Sequence, residues 1–242
     1  MRAWLLALLA AAAAAQDPAG RRSGLDFMSP ATQALQRDDT LNPALLWLKD
    51  GEQRFADECA RCHEPKAMRG VAVRYPAFDS ASGGPVTLAQ RIQRCRVEFV
   101  KQPPWPPEHG DALALEVYVS NASRGLPIAP PADARLAPFV EEGRRLYETR
   151  IGQLDFACAE CHDHHAGGRL GGSLIPQAHP TGYPIYRLEW QTVGSLERRI
   201  RNCAAGVRAE PFGWGSQEMV ALQLYLIQRA AGMALETPGV RP

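Results

Sequence analysis

Cys59-Ala-Arg-Cys62-His63 and Cys158-Ala-Glu-Cys161-His162 are the two stretches that decide the reading of this chain. Cys-x-x-Cys-His is the attachment signature of a c-type haem. Two thiols three residues apart on one helical turn reach the two vinyl groups of the porphyrin. The adjacent histidine then lies below the iron as proximal ligand. The chain's own Cys and His frequencies predict about 0.004 chance occurrences, and two are present. A thioredoxin-like Cys-x-x-Cys or a zinc site leaves the following histidine unexplained in both places. Cys59, Cys62, Cys158 and Cys161 are therefore read as anchors of two covalently bound haem c groups, with His63 and His162 as proximal ligands.

Each motif belongs to a longer repeat. Gly51-Glu-Gln-Arg-Phe55 is echoed by Gly143-Arg-Arg-Leu-Tyr147. Leu88-Ala-Gln-Arg-Ile-Gln-Arg-Cys95 is echoed by Leu196-Glu-Arg-Arg-Ile-Arg-Asn-Cys203, and Leu113-Ala-Leu-Glu-Val-Tyr-Val119 by Val220-Ala-Leu-Gln-Leu-Tyr-Leu226. In chain order the offsets are 92, 99, 108 and 107. Gly125 and Gly232 follow the tyrosines at equal distance as helix ends. Four matches in one order imply a duplication: a domain over 43–135 and a second over 136–242, joined near the Pro127 to Pro138 stretch. Gly and Pro together make up 17% of the 242 residues, so short helices and many loops are expected around the haems, in a mainly α fold of two tandem cytochrome c-like domains. A helix is predicted from Asn42-Pro43, a good cap followed by a proline suited to the first helical position, toward Cys59.

Residues 1–15 carry one positive charge, Arg2, and then an apolar, alanine-rich run to Ala15. The run is shorter than the roughly 20 residues of a spanning helix and reads as a cleaved secretory signal, which places the mature chain in the periplasm with no membrane span. A polar extension, 16–42, follows. With 27 basic and 26 acidic residues the chain has no footing as a general nucleic-acid binder.

The sixth ligand of each iron has many candidates: Met68, Met219, Met233, His109, His164, His165, His179, Cys95 and Cys203. Only Cys95 and Cys203 recur once per half. Leu88, Ile92 and Cys95 fall at i, i+4 and i+7, as do Leu196, Ile200 and Cys203, so each sulfur lies on an apolar helical stripe. A disulfide between Cys95 and Cys203, or two inert thiols, is the competing reading. Thiolate ligation favours ferric iron and a low potential. Arg198, Arg199, Arg201 and Arg208 crowd Cys203, and Arg199, four residues before it, shares its face. Arginines lower a thiol's pKa and suit an oxyanion. Cys95 has a similar set in Arg91, Arg94, Arg96 and Lys101, so charge alone does not say which half is catalytic.

The chain resembles the A-subunit family of SoxAX cytochromes, of the thiosulfate-oxidising Sox system, in its dihaem form. The two Cys-x-x-Cys-His motifs, Arg199-Ile-Arg-Asn-Cys203, Gly206-Val-Arg-Ala-Glu-Pro211 and Ala221-Leu-Gln-Leu-Tyr225 carry the resemblance. It implies a periplasmic heterodimer with the monohaem cytochrome SoxX. The implied enzyme is an L-cysteine S-thiosulfotransferase that couples thiosulfate oxidatively to a cysteine of the SoxYZ carrier. It further implies that Cys203 is the axial ligand of the active-site haem and a sulfur-handling residue, found as a persulfide in relatives. Arg199 becomes the substrate-guiding arginine, and the first-half haem, with Cys95 as axial ligand, is mainly structural. Competing classes are a plain dihaem electron carrier, a dihaem peroxidase, and a binding subunit without chemistry of its own.

Overall fold

The structure, a computed structural model, describes residues 20–242. The expected signal segment, 1–15, lies outside the described residues. Among the described residues seven α-helices make up the frame: α1 (Pro30–Arg37), α2 (Leu45–Glu58), α3 (Leu88–Cys95), α4 (Gly110–Asn121), α5 (Ala137–Glu148), α6 (Leu196–Gly206) and α7 (Gln217–Arg229). Short strands decorate it. β1 (Ala77–Asp79) pairs antiparallel with β2 (Gly84–Val86), and β3 (Arg169–Leu170) with β4 (Ser173–Leu174). β5 (Ile185–Arg187) lies between antiparallel β6 (Thr192–Gly194) and parallel β7 (Gly239–Arg241). Among the described residues no helix is long and apolar enough to cross a membrane.

The duplication is visible element by element. α2 crosses α4 in the first half and α5 crosses α7 in the second. At each crossing a glycine meets backbone: a Cβ on Gly51 would collide with the Ala114 carbonyl, and one on Gly143 with that of Ala221. The flanking aromatic pairs repeat too, Phe55 with Tyr118 at 5.1 Å and Tyr147 with Tyr225 at 5.4 Å between ring centroids. α3 and α6 each follow a hairpin and start on a hydroxyl cap: Thr87 accepts from the Gln90 amide and Ser195 from that of Arg198. The second half is longer where the offset grows. A turn closed by the Ile151–Phe156 bridge precedes its motif, and the β3–β4 hairpin follows it.

The predicted start of α2 is a tighter turn than an α-helix. The Asn42 side chain accepts from the Ala44 amide as a cap does, but the next three bonds close i to i+3, and the α-helix begins at Leu45. Gly125 (φ 81°) and Gly232 (φ 85°) are not the helix ends expected of them: α4 stops at Asn121 and α7 at Arg229, the glycines close the turns that follow, and the two turns pair with each other. The Gly125 amide donates to Leu235 and the Gly232 amide to Ile128, each at 2.8 Å.

The halves are interlocked. Tyr186, Val193 and Val240 of the second half pack against Ala44, Leu113 and Val117 of the first, and Val73 and Ile128 against Ala230 and Leu235. The N-terminal extension wraps the second half. Arg21 donates to the Arg229 and Ala231 carbonyls, Ser23 to Glu236, and Gln36 accepts from the Val240 amide.

Candidate functional site: two cysteine and histidine sets in a duplicated frame

In the second half, Cys158 opens a helical turn that widens into a π-helical turn over Glu160–His164. This places Cys158, Cys161 and His162 on successive positions of one coil. The His162 Nδ1 lies 2.7 Å from the Pro176 carbonyl. A carbonyl only accepts, so Nδ1 carries a proton, and Nε2 is the nitrogen left to face a metal. α6 delivers Cys203 against this set: its sulfur interacts with His162, and Cys158 and Cys161 both sense its charge. Burial raises the Cys158 thiol to about 11. A thioether has no charge to desolvate, so this half-buried pair suits covalent attachment better than free thiols. The donor set of two thiols, an oriented imidazole and a facing sulfur fits a haem c.

Burial alone would raise the Cys203 thiol, but His162, Arg199 and Arg187 together bring it below its ordinary value. Of the four arginines expected around Cys203, Arg199 lowers its thiol, and the other three have partners or positions of their own. Arg198 stacks on Trp190 at 4.1 Å and lies 3.9 Å from Glu108. Arg201 stacks on Trp214 at 4.6 Å and donates to the Phe212 carbonyl. Arg208 is exposed, in a turn at positive φ.

In the first half, Cys95 is brought to Cys59 and Cys62, while His63 is exposed. Burial raises the Cys59 thiol to about 11. Cys95 goes the opposite way from Cys203. Burial pushes its thiol up, and Arg91 and Arg94 do not reverse this. Both are held by the buried Asp79, at 3.0 and 2.5 Å. Asp79 sits far below the usual carboxylate range because Arg94 donates to it. Arg96 pairs with Glu58 and stacks on Trp105 at 3.8 Å. All six cysteines are unpaired, so the Cys95–Cys203 disulfide is not formed.

The family profile described as SoxA/TsdA, cytochrome c domain, matches residues 45–128 and again 142–235. The chain belongs to the SoxA/TsdA cytochrome c family. It is 33% identical to the L-cysteine S-thiosulfotransferase subunit SoxA of Rhodovulum sulfidophilum, over 91% of this chain and 80% of that one. The subunit of the same name from Pseudaminobacter salicylatoxidans is 33% identical over 90% of this chain and 80% of its own length. In three dimensions it is similar to a chain of the SoxXA crystal structure from P. pantotrophus. The TM-score is 0.88 at 30% identity, covering 92% of this chain and 87% of that one. A cytochrome c domain carries covalently bound haem c, as the donor sets above suit.

Within this SoxA/TsdA frame the other ligand candidates have different roles. Met68 and Met219 are core residues and Met233 packs beside Leu235. His109 caps α4 and stacks on Trp105. His179 is buried against the Arg22 carbonyl, and His164 and His165 are exposed. The reading by motif missed Arg187 and Tyr183, which both share the surroundings of Cys203 and Arg199. A signal for both was present. Tyr75-Pro76 and Tyr183-Pro184 repeat at the same offset of 108 as Cys95 and Cys203, with both prolines cis, and Arg187 then matches Asp79.

Proposed function

We propose that this chain is the catalytic subunit of an L-cysteine S-thiosulfotransferase that joins thiosulfate oxidatively to a carrier-protein cysteine. The activity for which its SoxA relatives are named supports it. The observation that carries it is a half-buried cysteine, Cys203, set beside the oriented His162, with Arg199 one helical turn before it on α6.

The net step is R–SH + S2O3²⁻ → R–S–S–SO3⁻ + H⁺ + 2e⁻. One sulfur–sulfur bond forms and the electron pair has to leave. Haem c, which Cys158, Cys161, His162 and Cys203 would hold, would take these electrons one at a time and pass each to a partner cytochrome. The protein's own residues do the rest. Arg199 draws in the dianion and offsets its charge beside a thiolate. The two electrons leave as the Cys203 sulfur joins the outer sulfur of thiosulfate, which gives a Cys–S–S–SO3⁻ adduct. A carrier thiolate attacks the sulfane sulfur of that adduct, and Cys203 leaves as thiolate, as in thiol–disulfide exchange.

The same reading gives Cys59, Cys62, His63 and Cys95 a second, mainly structural haem. It places the protein in the periplasm after removal of 1–15. SoxX is the monohaem partner that accepts the electrons, and SoxYZ the carrier. The kind of solved complex the chain is similar to supports the first of these.

Incubation with SoxYZ, SoxX and thiosulfate tests the activity, followed by intact mass of the carrier. The wild type is expected to add one thiosulfonate per carrier cysteine with parallel haem reduction. Cys203→Ala is expected to lose both by about 100-fold or more. Haem reduction by thiosulfate at the wild-type rate in Cys203→Ala overturns the assignment of Cys203. The intact mass of the mature protein should show two covalent haems, and low-temperature EPR of the ferric state a thiolate-ligated low-spin signal.

A further inference from the structure

We propose that Arg187 is a second anion-holding residue of the Cys203 site, which with Arg199 receives the sulfonate end of the dianionic substrate and sets the second half apart from the first. The identity of the substrate rests on the function proposed above; the anion site does not.

The argument starts from the repeat. β1 and β5 follow the matching Tyr-Pro pairs, and their third residues, Asp79 and Arg187, both end the paired stretch, opposite Gly84 and Thr192. Both stand 16 residues before the cysteine of the following helix, Cys95 or Cys203. One hairpin position aimed at one helix face therefore carries an acid in one half and a base in the other.

The consequence for each cysteine is opposite. In the first half Asp79, with its side chain 7% accessible, bonds Arg91 at 3.0 Å and Arg94 at 2.5 Å. Their charges are spent within the protein. In the second half Arg91 is matched by Arg199, Arg94 by the neutral Asn202, and the carboxylate by a guanidinium. Arg187 is 12% accessible and has a buried Nε–H without an acceptor. Its carboxylate partner, Glu189, at 2.7 Å, is 64% accessible and sits at the rim. Burial and the charge of Arg199 together hold the Arg187 guanidinium below its ordinary range. Two like charges at a partly desolvated position, one with an orphaned donor, are costly unless an anion joins them. A guanidinium fork matches sulfonate oxygens well. A carboxylate of the bound haem is the other anion that such a pair could hold, and the test separates the two.

Calorimetric titration of the ferric holoprotein with sodium thiosulfate, without carrier, reads the site independently of turnover. Sodium sulfate serves as a competing inert dianion. Arg187→Gln is expected to weaken thiosulfate binding about tenfold with haem content and EPR unchanged, and Arg187→Lys to restore most of it. In the coupled assay the KM should rise by a similar factor while kcat stays within about threefold. Glu189→Gln, a substitution at the exposed rim, is expected to tighten binding about threefold by freeing Arg187. Unchanged thiosulfate affinity in both Arg187→Gln and Glu189→Gln overturns the proposal. So does a Gln variant that changes haem content or EPR while binding thiosulfate normally, which assigns Arg187 to the haem carboxylates. If the wild type binds thiosulfate but does not transfer it to the carrier, the function reading fails and the anion site stands.

Discussion

Glu116 lies on α4 near Glu108 and Glu197, and its burial together with those two carboxylates pushes its carboxyl up to about 8. In the unfolded chain the same group ionises near its ordinary value, 4.5. As pH rises from about 5 to 8 the unfolded state therefore releases a proton that the folded state keeps, and stability falls through that window. The second half avoids the problem, because Gln223 occupies the matching position of α7. Glu116→Gln is accordingly expected to raise thermal stability by an amount that is near zero at pH 5 and grows to pH 8. It should be constant above that, at about 2 kcal/mol given that water still reaches one side of the group. Melts of both proteins at pH 5 to 9 check this, and a difference that does not vary with pH counts against it. At this scale the two Cys-x-x-Cys-His motifs were legible, because residue type and spacing are fixed within a five-residue window; the haem-binding roles given to them belong to the proposal. Arg187 was not read from its own surroundings. Its meaning comes from Asp79, 108 positions earlier, and only an alignment of the hairpins as well as the helices brings the two together.

The helix crossings show why each repeat contains a glycine ahead of its haem motif. Gly51 and Gly143 are the points where α2 touches the backbone of α4 and α5 that of α7, with the Tyr118 and Tyr225 side chains closing the flanks. The obstruction is main chain, so no rotamer change relieves it. Gly143→Ala and Gly51→Ala are each expected to destabilise the protein by about 3 kcal/mol, read as a lower denaturant midpoint at unchanged slope. Gly206, at the end of α6, has open space where a Cβ would go, and Gly206→Ala serves as control. It should be neutral or stabilising by up to about 1 kcal/mol. If Gly143→Ala behaved like the control, the close crossing would not be a packing requirement. The glycines were legible as part of a repeat. Their reason was not, because periodicity reports which face of a helix is apolar and not how near its partner's backbone comes.

At the scale of the molecule, the duplication reads as two tandem domains, and the packing shows that they share a core. Pattern in a sequence marks an apolar surface without naming what covers it, and here each half covers the other. Tyr186, Val193 and Val240 rest on Ala44, Leu113 and Val117. The final strand is also tied to the N-terminal extension through Gln36 and Asn42, the latter donating to the Pro238 carbonyl at 3.0 Å. Exposing those three second-half side chains costs about 1.5–3 kcal/mol each. Together that is comparable with the whole stability of a typical domain, about 5–15 kcal/mol. Residues 136–242 expressed alone are therefore expected to lack a cooperative unfolding transition, even where haem is attached to Cys158 and Cys161. The intact chain should unfold in one transition, with absorbance from both halves changing together. Denaturant titration of the two, followed by circular dichroism and by haem absorbance, decides it: a cooperative transition in the isolated segment would show that the shared core is not required.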